Sequence, residues 1–388
     1  MARNNPVGIV IAASFALAAC GGELAVEEAG EAALKQVCSG VLRDLSSDSS
    51  NCGSCGHGCL GGTCKQGSCQ PVTLATPKAP HSIATDDSFV YYVNQDRLDG
   101  PMNFSLWRVP IGGGAPALIR NKLDTVYGFV VDANYFYLNL EGPHENYYNS
   151  NDQLIRKMTK SGEFYQDLAM YWNWIGSRIY LDSAGKLHYK VRQTPTELNF
   201  YEMHTVDTPS PLNPLFSASQ GSYWEGYNHL FPDGDFVYNG SSYCWVGAGP
   251  HRISCWSGGV RHERTFNANA NPLLDTKMVA NATQILWVER DGIYWVPPTV
   301  NQAPIRVYSY QYYNGHFITA LAIDDKYLYW AENIEQWKAK NPSVIRRLSL
   351  KGGSPSTLAS FDNETIDHIV TDAKALYLSG QKIWKLAK

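Results

Sequence analysis

Seven copies of one short apolar segment, each centred on an aromatic residue, run from about His81 to the end of this 388-residue chain. The aromatics are Tyr91, Tyr137, Tyr180, Tyr238, Trp287, Tyr329 and Tyr377, at spacings of 46, 43, 58, 49, 42 and 48 residues. Eight positions before each stands an apolar residue: Ile83, Phe129, Trp172, Leu230, Val279, Leu321 and Ile369. Five positions before, most copies carry an aspartate (Asp86, Asp132, Asp233, Asp324, Asp372), while Ile175 and Ala282 break the rule. A unit of roughly 40–50 residues built from short strands buries its apolar faces only by stacking on its neighbours, which is the signature of a propeller blade. The expected fold class is all-β: a seven-bladed β-propeller closed by strands from both ends, preceded by a small disulfide-rich module.

Closure is read from prolines. The fourth strand of a clear unit opens with a proline and places an apolar residue three positions on, as in Pro116/Ile119, Pro304/Val307 and Pro355/Leu358. A proline suits an outermost strand, where one edge needs no N–H. The chain stops at Ile383–Lys388, just after a third strand, whereas Pro71-Val72-Thr73-Leu74-Ala75 is nearly a twin of Pro355-Ser356-Thr357-Leu358-Ala359. Residues 71–76 are therefore expected to complete the seventh blade and remove an open sheet edge. The recurrent aspartates stand where an Asx turn needs them, so their role is expected to be structural.

Ahead of the repeats, Arg3 precedes an apolar run from Val7 to Ala19, too short to cross a bilayer and typical of a signal peptide. The run ends in Leu17-Ala18-Ala19-Cys20-Gly21, which resembles the bacterial lipobox. That resemblance implies cleavage before Cys20, lipidation of its thiol and attachment to a membrane through the lipid, with Gly21 favouring the outer membrane. The rival is a soluble secreted protein cut after an Ala-x-Ala-like site. The expected organisation is a lipoprotein signal peptide over 1–19, a lipid-anchored tether over 20–37, a disulfide-rich module over 38–70 and the propeller over 71–388.

The nine cysteines divide into Cys20, a tight group of Cys38, Cys52, Cys55, Cys59, Cys64 and Cys69, and a pair, Cys244 and Cys255. In an exported chain an even set within about thirty residues reads as a disulfide knot of open connectivity. A metal centre competes, because Cys52-x2-Cys55-x3-Cys59 has ligand-like spacing and encloses His57. Cys244 and Cys255 are expected to staple the hairpin between the second and third strands of the fourth blade. The run Asp48-x-x-Asn51-Cys52-Gly53-x-Cys55-Gly56-x-x-Cys59 resembles cysteine-rich modules of bacterial surface lipoproteins and plant stigma-specific secreted proteins, which implies an extracellular setting.

With a net charge of −4 and no basic stripe, a nucleic-acid partner is not expected. The longer loops converge on one face and carry Tyr147, Tyr148, Trp172, Trp224, Tyr227, Tyr310, Tyr312 and Trp337, rings suited to stacking on sugars or peptide side chains. Asp96, Arg97, Asp99, His144, Glu145, Glu332 and Glu335 interleave with them as candidate polar contacts. His81, His229 and His368 fall nine or ten positions before a blade aromatic and, with Lys277, are expected at the channel mouth, near a shared metal or anion or as structural histidines. A one-residue slip would flip their facing. There is no Gly-x-Ser-x-Gly elbow, His-Glu-x-x-His pair or phosphate loop, so no catalytic residue, metal or cofactor is assigned.

The unit Asp324-Asp325-Lys326-Tyr327-Leu328-Tyr329-Trp330, followed by Val344–Leu348 and Gly352-Gly353-Ser354-Pro355, resembles repeats of bacterial TolB-like propellers. The resemblance implies a binding or scaffolding propeller and transfers no site residue. The expected function is a monomeric, non-catalytic envelope module whose ligand is a glycan or an envelope protein. The alternatives are a polysaccharide lyase or hydrolase working at the channel mouth, and a purely structural envelope protein.

Overall fold

A computed structural model describes residues 34–96, 103–141, 153–171, 179–181, 186–192, 200–205, 216–219, 236–238, 242–247, 252–257, 260–265, 277–289, 291–297, 304–310, 316–333 and 342–388. Every regular element among them is a β-strand. Two small hairpins come first, and the rest forms seven four-stranded antiparallel sheets. The first sheet shows the plan: Pro80–Thr85 innermost, then Phe89–Gln95, Phe104–Pro110 and Ala117–Leu123 outermost. The second to sixth sheets repeat it from the innermost strands Val126–Val131, Ile179–Leu181, Phe236–Tyr238, Met278–Ala280 and Phe317–Ile323.

The seventh sheet takes His368–Thr371, Ala375–Ser379 and Ile383–Ala387 from the end of the chain and Val72–Ala75 from its beginning. Ala75 pairs with Ile383, Thr73 with Trp384 and Val72 with Lys385. The innermost strand of this sheet lies beside that of the first. Leu74 and Ala75 are buried with Ile83, Tyr92 and Tyr377 in a cluster shared by the two sheets.

The aspartate-to-tyrosine spacing has a hydrogen-bond explanation. Asp86 Oδ1 accepts the N–H groups of Ser88 (2.9 Å) and Phe89 (2.8 Å), closing the turn, while Oδ2 accepts the Tyr91 hydroxyl at 2.7 Å. Asp132 with Tyr137, Asp324 with Tyr329 and Asp372 with Tyr377 repeat the arrangement. A lysine of another sheet adds to two of them: Lys160 Nζ is 2.9 Å from Asp86 Oδ2, and Lys388 Nζ is 2.6 Å from Asp324 Oδ2.

Three repeats differ from the register expected above. Tyr180 and Tyr238 lie on innermost strands, and the second strands of their sheets are Leu187–Arg192 and Ser242–Gly247. In the fifth sheet Trp287 is one position out. Val279 pairs with Leu286 as Ala84 pairs with Tyr91, so Leu286 holds the repeat position and Asn281, five residues earlier, replaces the aspartate. Asn281 Oδ1 accepts the N–H groups of Thr283 and Gln284 at 3.0 and 2.9 Å. Alternation then sends Trp287 toward the fourth sheet, among Val237, Cys244 and Cys255, and Leu286 toward Leu321 and Trp330 of the sixth.

The module before the sheets is tied by Cys38–Cys55, Cys52–Cys64 and Cys59–Cys69, so the thiols offered to a metal by their spacing are consumed in disulfides. Its first hairpin turns at Ser39 and Gly40, both at positive φ (49° and 83°), the geometry a two-residue hairpin loop requires. His57 sits between its own module and the last strand, with Nδ1 2.6 Å from Cys52 O and Nε2 2.7 Å from Lys388 O. Cys52, Cys59 and Cys69 pack on Ala387. The module is thus seated on the seventh sheet. In the fourth sheet Cys244 and Cys255 are directly opposed on the second and third strands and joined by a disulfide.

Disulfides of this number belong to an extracellular or envelope setting. Among the described residues no helix is long and apolar enough to cross a membrane. Cys20 and the apolar run before it lie outside the described residues.

Candidate functional site at the mouth of the axis

Four of the innermost strands share a defect at the end remote from the aspartate turns. In the first sheet the ladder steps from Pro80 to Ser82, leaving His81 unpaired; in the second it steps from Val126 to Gly128 around Tyr127, and in the sixth from Ile318 to Ala320 around Thr319. The seventh sheet behaves alike: His368 pairs with Ser379, and the N–H of the preceding Asp367 also donates to Ser379 O at 2.8 Å. The cause is legible in the second, sixth and seventh sheets. Val126 and Phe129, Ile318 and Leu321, and Ile366 and Ile369 are all buried. Apolar residues three apart cannot share one face of a regular strand, so an extra residue is squeezed out and its side chain re-aimed.

His81 and Asp367 are exposed although their strands are innermost, and Tyr127 is half-buried. Each is nonetheless crowded by protein. Desolvation holds the His81 imidazole below its ordinary 6.5, so the ring is neutral at pH 7. Desolvation raises the Tyr127 hydroxyl, helped by the Glu141 carboxylate. Asp367 is raised by desolvation, partly offset by Lys277, with Glu364 adding to the rise. Phe104 stands edge-on to the His81 ring, centroids 5.6 Å apart.

The sixth sheet departs from the others, because Thr319 Oγ1 donates to Ile366 O of the seventh and turns its polar atom inward. The fifth contributes Lys277, half-buried and close enough to Asp367 to act on its charge. His368, expected beside His81, is instead a ladder residue; Asp367 holds the position equivalent to His81, one residue earlier. His229 lies outside the described residues.

Of the candidate aromatics, Tyr310 is described. It is buried and its hydroxyl donates to Glu289 O at 2.7 Å, so its ring packs between strands. Tyr147, Tyr148, Trp172, Trp224, Tyr227, Tyr312 and Trp337 lie outside the described residues. Glu332 is buried and committed to Arg346 Nε (2.7 Å) and Tyr308 Oη (2.9 Å), while Asp96 accepts from Asn94 and Ser105. Tyr127 and Asp367 were missed by the sequence reading, and the apolar pair three apart within one short strand was the available signal.

Comparison with protein-family profiles finds no match, and comparison with curated protein sequences finds none either. Solved structures do match. Virginiamycin B lyase from Staphylococcus aureus aligns with 82% of this chain and 98% of its own at a TM-score of 0.53 and 13% identity. The β-propeller domain of the Trilobed protease from Pyrococcus furiosus aligns with 79% and 91% at 0.53 and 10% identity. Sqt1 from Chaetomium thermophilum aligns with 82% and 100% at 0.54 and 10% identity. The fold is a β-propeller. At such identities the likeness carries architecture and no chemistry. The lyase was also crystallised as a catalytically inactive histidine-to-alanine variant with quinupristin.

Proposed function

We propose that this protein is an exported, lipid-anchored, seven-bladed propeller, its ring closed by residues 72–75, that binds a glycan without transforming it. One observation carries the reading: His81, Tyr127 and Asp367 hold the same bulge position at the mouth end of innermost strands of three neighbouring sheets, and desolvation shifts the pKa of each. A neutral imidazole, a phenol and a carboxyl offer donors and acceptors without a dominant charge, which suits hydroxyl groups. The aromatic loop residues Tyr147, Tyr148, Trp224 and Tyr312 supply stacking surface on the same face in this reading. Lipidation at Cys20 and an outer-membrane address complete it.

A second reading has its own support. His81, lowered by desolvation, and Asp367, raised by it, hold equivalent positions in adjoining sheets and are residue types that lyases and hydrolases use as base and acid, and one structural neighbour is a lyase. The test is retention of the full chain in detergent on immobilised envelope polysaccharide, run beside His81→Ala, Asp367→Asn and a variant with alanine at Tyr147, Tyr148, Trp224 and Tyr312. Binding is expected to fall at least tenfold in all three without cleavage of the polymer. Equal retention by wild type and variants would place the site elsewhere. Unsaturated or shortened products that vanish with His81→Ala would establish the enzymatic reading.

A further inference from the structure

Several buried side-chain polar atoms lack a partner among the described residues, and three of the residues that carry them adjoin the bulges. Ser82 Oγ is one residue from His81; both polar atoms of Asn139 are unsatisfied, and Asn139 pairs with Gly128, next to Tyr127; Ser379 Oγ is unsatisfied, and Ser379 pairs with His368, next to Asp367. Asn139 is 0% exposed, Ser379 1% and Ser82 9%. Alternation places each in a successive interface between sheets. Ser379 shares a strand face with Tyr377, which packs on Ile83 and Tyr92 of the first sheet. Ser82 shares one with Ala84, which packs against Phe136 and Leu138 of the second. Asn139 shares one with Tyr137, which packs against Leu187 and Tyr189 of the third.

Such atoms are costly. A buried hydroxyl or amide without a partner forfeits about 1–3 kcal/mol, and an apolar residue of similar shape would avoid the loss. The sixth sheet shows that the fold accepts the apolar solution: its corresponding positions are Ala320 and Ala331, and its bulge residue Thr319 is internally satisfied. Unpartnered buried atoms also occur in the fifth and sixth sheets, on Glu289, Trp330 and Asn333, but those of Ser82, Asn139 and Ser379 adjoin the positions of His81, Tyr127 and Asp367 in three neighbouring sheets. Gly128, opposite Asn139, is half-exposed and has no side chain, which leaves room on the axial side for a small polar atom.

Resting on the glycan reading above, we propose that Ser82, Asn139 and Ser379 form the hydrogen-bonding floor of a subsite for a neutral saccharide at the mouth, spanning the seventh, first and second sheets. Hydroxyls and a carboxamide each donate and accept, as sugar hydroxyls do, and none carries charge. Lys277 is close enough to Asp367 to offset part of its charge. Ligand hydroxyls, directly or through the water they carry, supply the partners that the protein does not.

The test uses the full chain in detergent with Asn139→Leu and the double variant Ser82→Ala/Ser379→Ala. Tm is measured for each, together with calorimetric titration of maltotriose, cellotriose and chitotriose. The expected result is a Tm equal to or above wild type and an affinity about tenfold weaker for whichever trisaccharide binds. A Tm lowered by several degrees with affinity unchanged would assign these atoms to structural waters and overturn the subsite alone. Wild type that binds none of the three would overturn the saccharide assignment, and the glycan reading with it.

Discussion

The two ends of the blades handle polar atoms in opposite ways. At the aspartate turns, both carboxylate oxygens of Asp86, Asp132, Asp324 and Asp372 are filled by backbone N–H groups and a tyrosine hydroxyl. Burial raises the carboxyls of Asp86, Asp324 and Asp372, but the hydrogen bonds from tyrosine, backbone and lysine outweigh it and hold them below 3.8. At the mouth, Glu289 and Asp367 are raised instead, and Ser82, Asn139, Glu289 and Ser379 keep buried atoms without partners. Asn333 Nδ2 belongs with them, while Gln284 Oε1 at the turn end and Trp330 Nε1 in mid-strand are exceptions. The turn end is arranged for stability, whereas the mouth retains polar groups at a cost in stability, as the proposed binding role requires.

The largest effect that would break this contrast lies at the turns. Asp86→Ala leaves two backbone N–H groups, the Tyr91 hydroxyl and Lys160 without their acceptor, and is expected to cost about 4 kcal/mol in urea unfolding. A cost below about 1 kcal/mol would show the turn to be dispensable.

Acid and base should separate the ends next. Stability contributed by the turn aspartates is present above 3.8 and lost as pH falls through their lowered values. Glu289 has the opposite sign. Burial, helped by Asp291 and opposed by the Trp287 N–H, pushes its pKa from 4.5 to about 7, so folding loses about 3 kcal/mol as pH rises from 4.5 through 7. Glu289→Gln should remove that loss, giving a protein more stable than wild type at pH 8 and little changed at pH 4.5. Parallel pH profiles for the two would contradict the assignment. Smaller still is Lys160→Met, expected to cost about 1 kcal/mol and to abolish a weak salt dependence of Tm, since the Asp86 pair is partly solvated.

The turn end was the legible one. A carboxylate five residues before a tyrosine is a local pattern, and the proline-led strand Val72–Ala75 copies Ser356–Phe361 closely enough to be placed against Ile383–Ala387. The opposed pair Cys244 and Cys255 was legible for the same reason, since it needs only a hairpin. Register failed where the local mark was weak. Tyr180 and Tyr238 are aromatics of inner strands that imitate the repeat residue, and in the fifth sheet the larger Trp287 drew the alignment from Leu286, although Asn281 marks the turn. The mouth was least legible, because a bulge shifts every later side chain by one and moved the channel position from His368 to Asp367.

Tyr377 and Ser379 stand two residues apart on one face of one strand, the first bonded to Asp372 at 2.7 Å and the second without a partner. Thermal melting of Tyr377→Phe and Ser379→Ala therefore tests the division most directly. Tyr377→Phe is expected to lower stability by about 1–2 kcal/mol, and Ser379→Ala to leave it unchanged or raise it. Destabilisation of the same size in both would mean that the mouth is built like the turns, and the division between the two ends would fall.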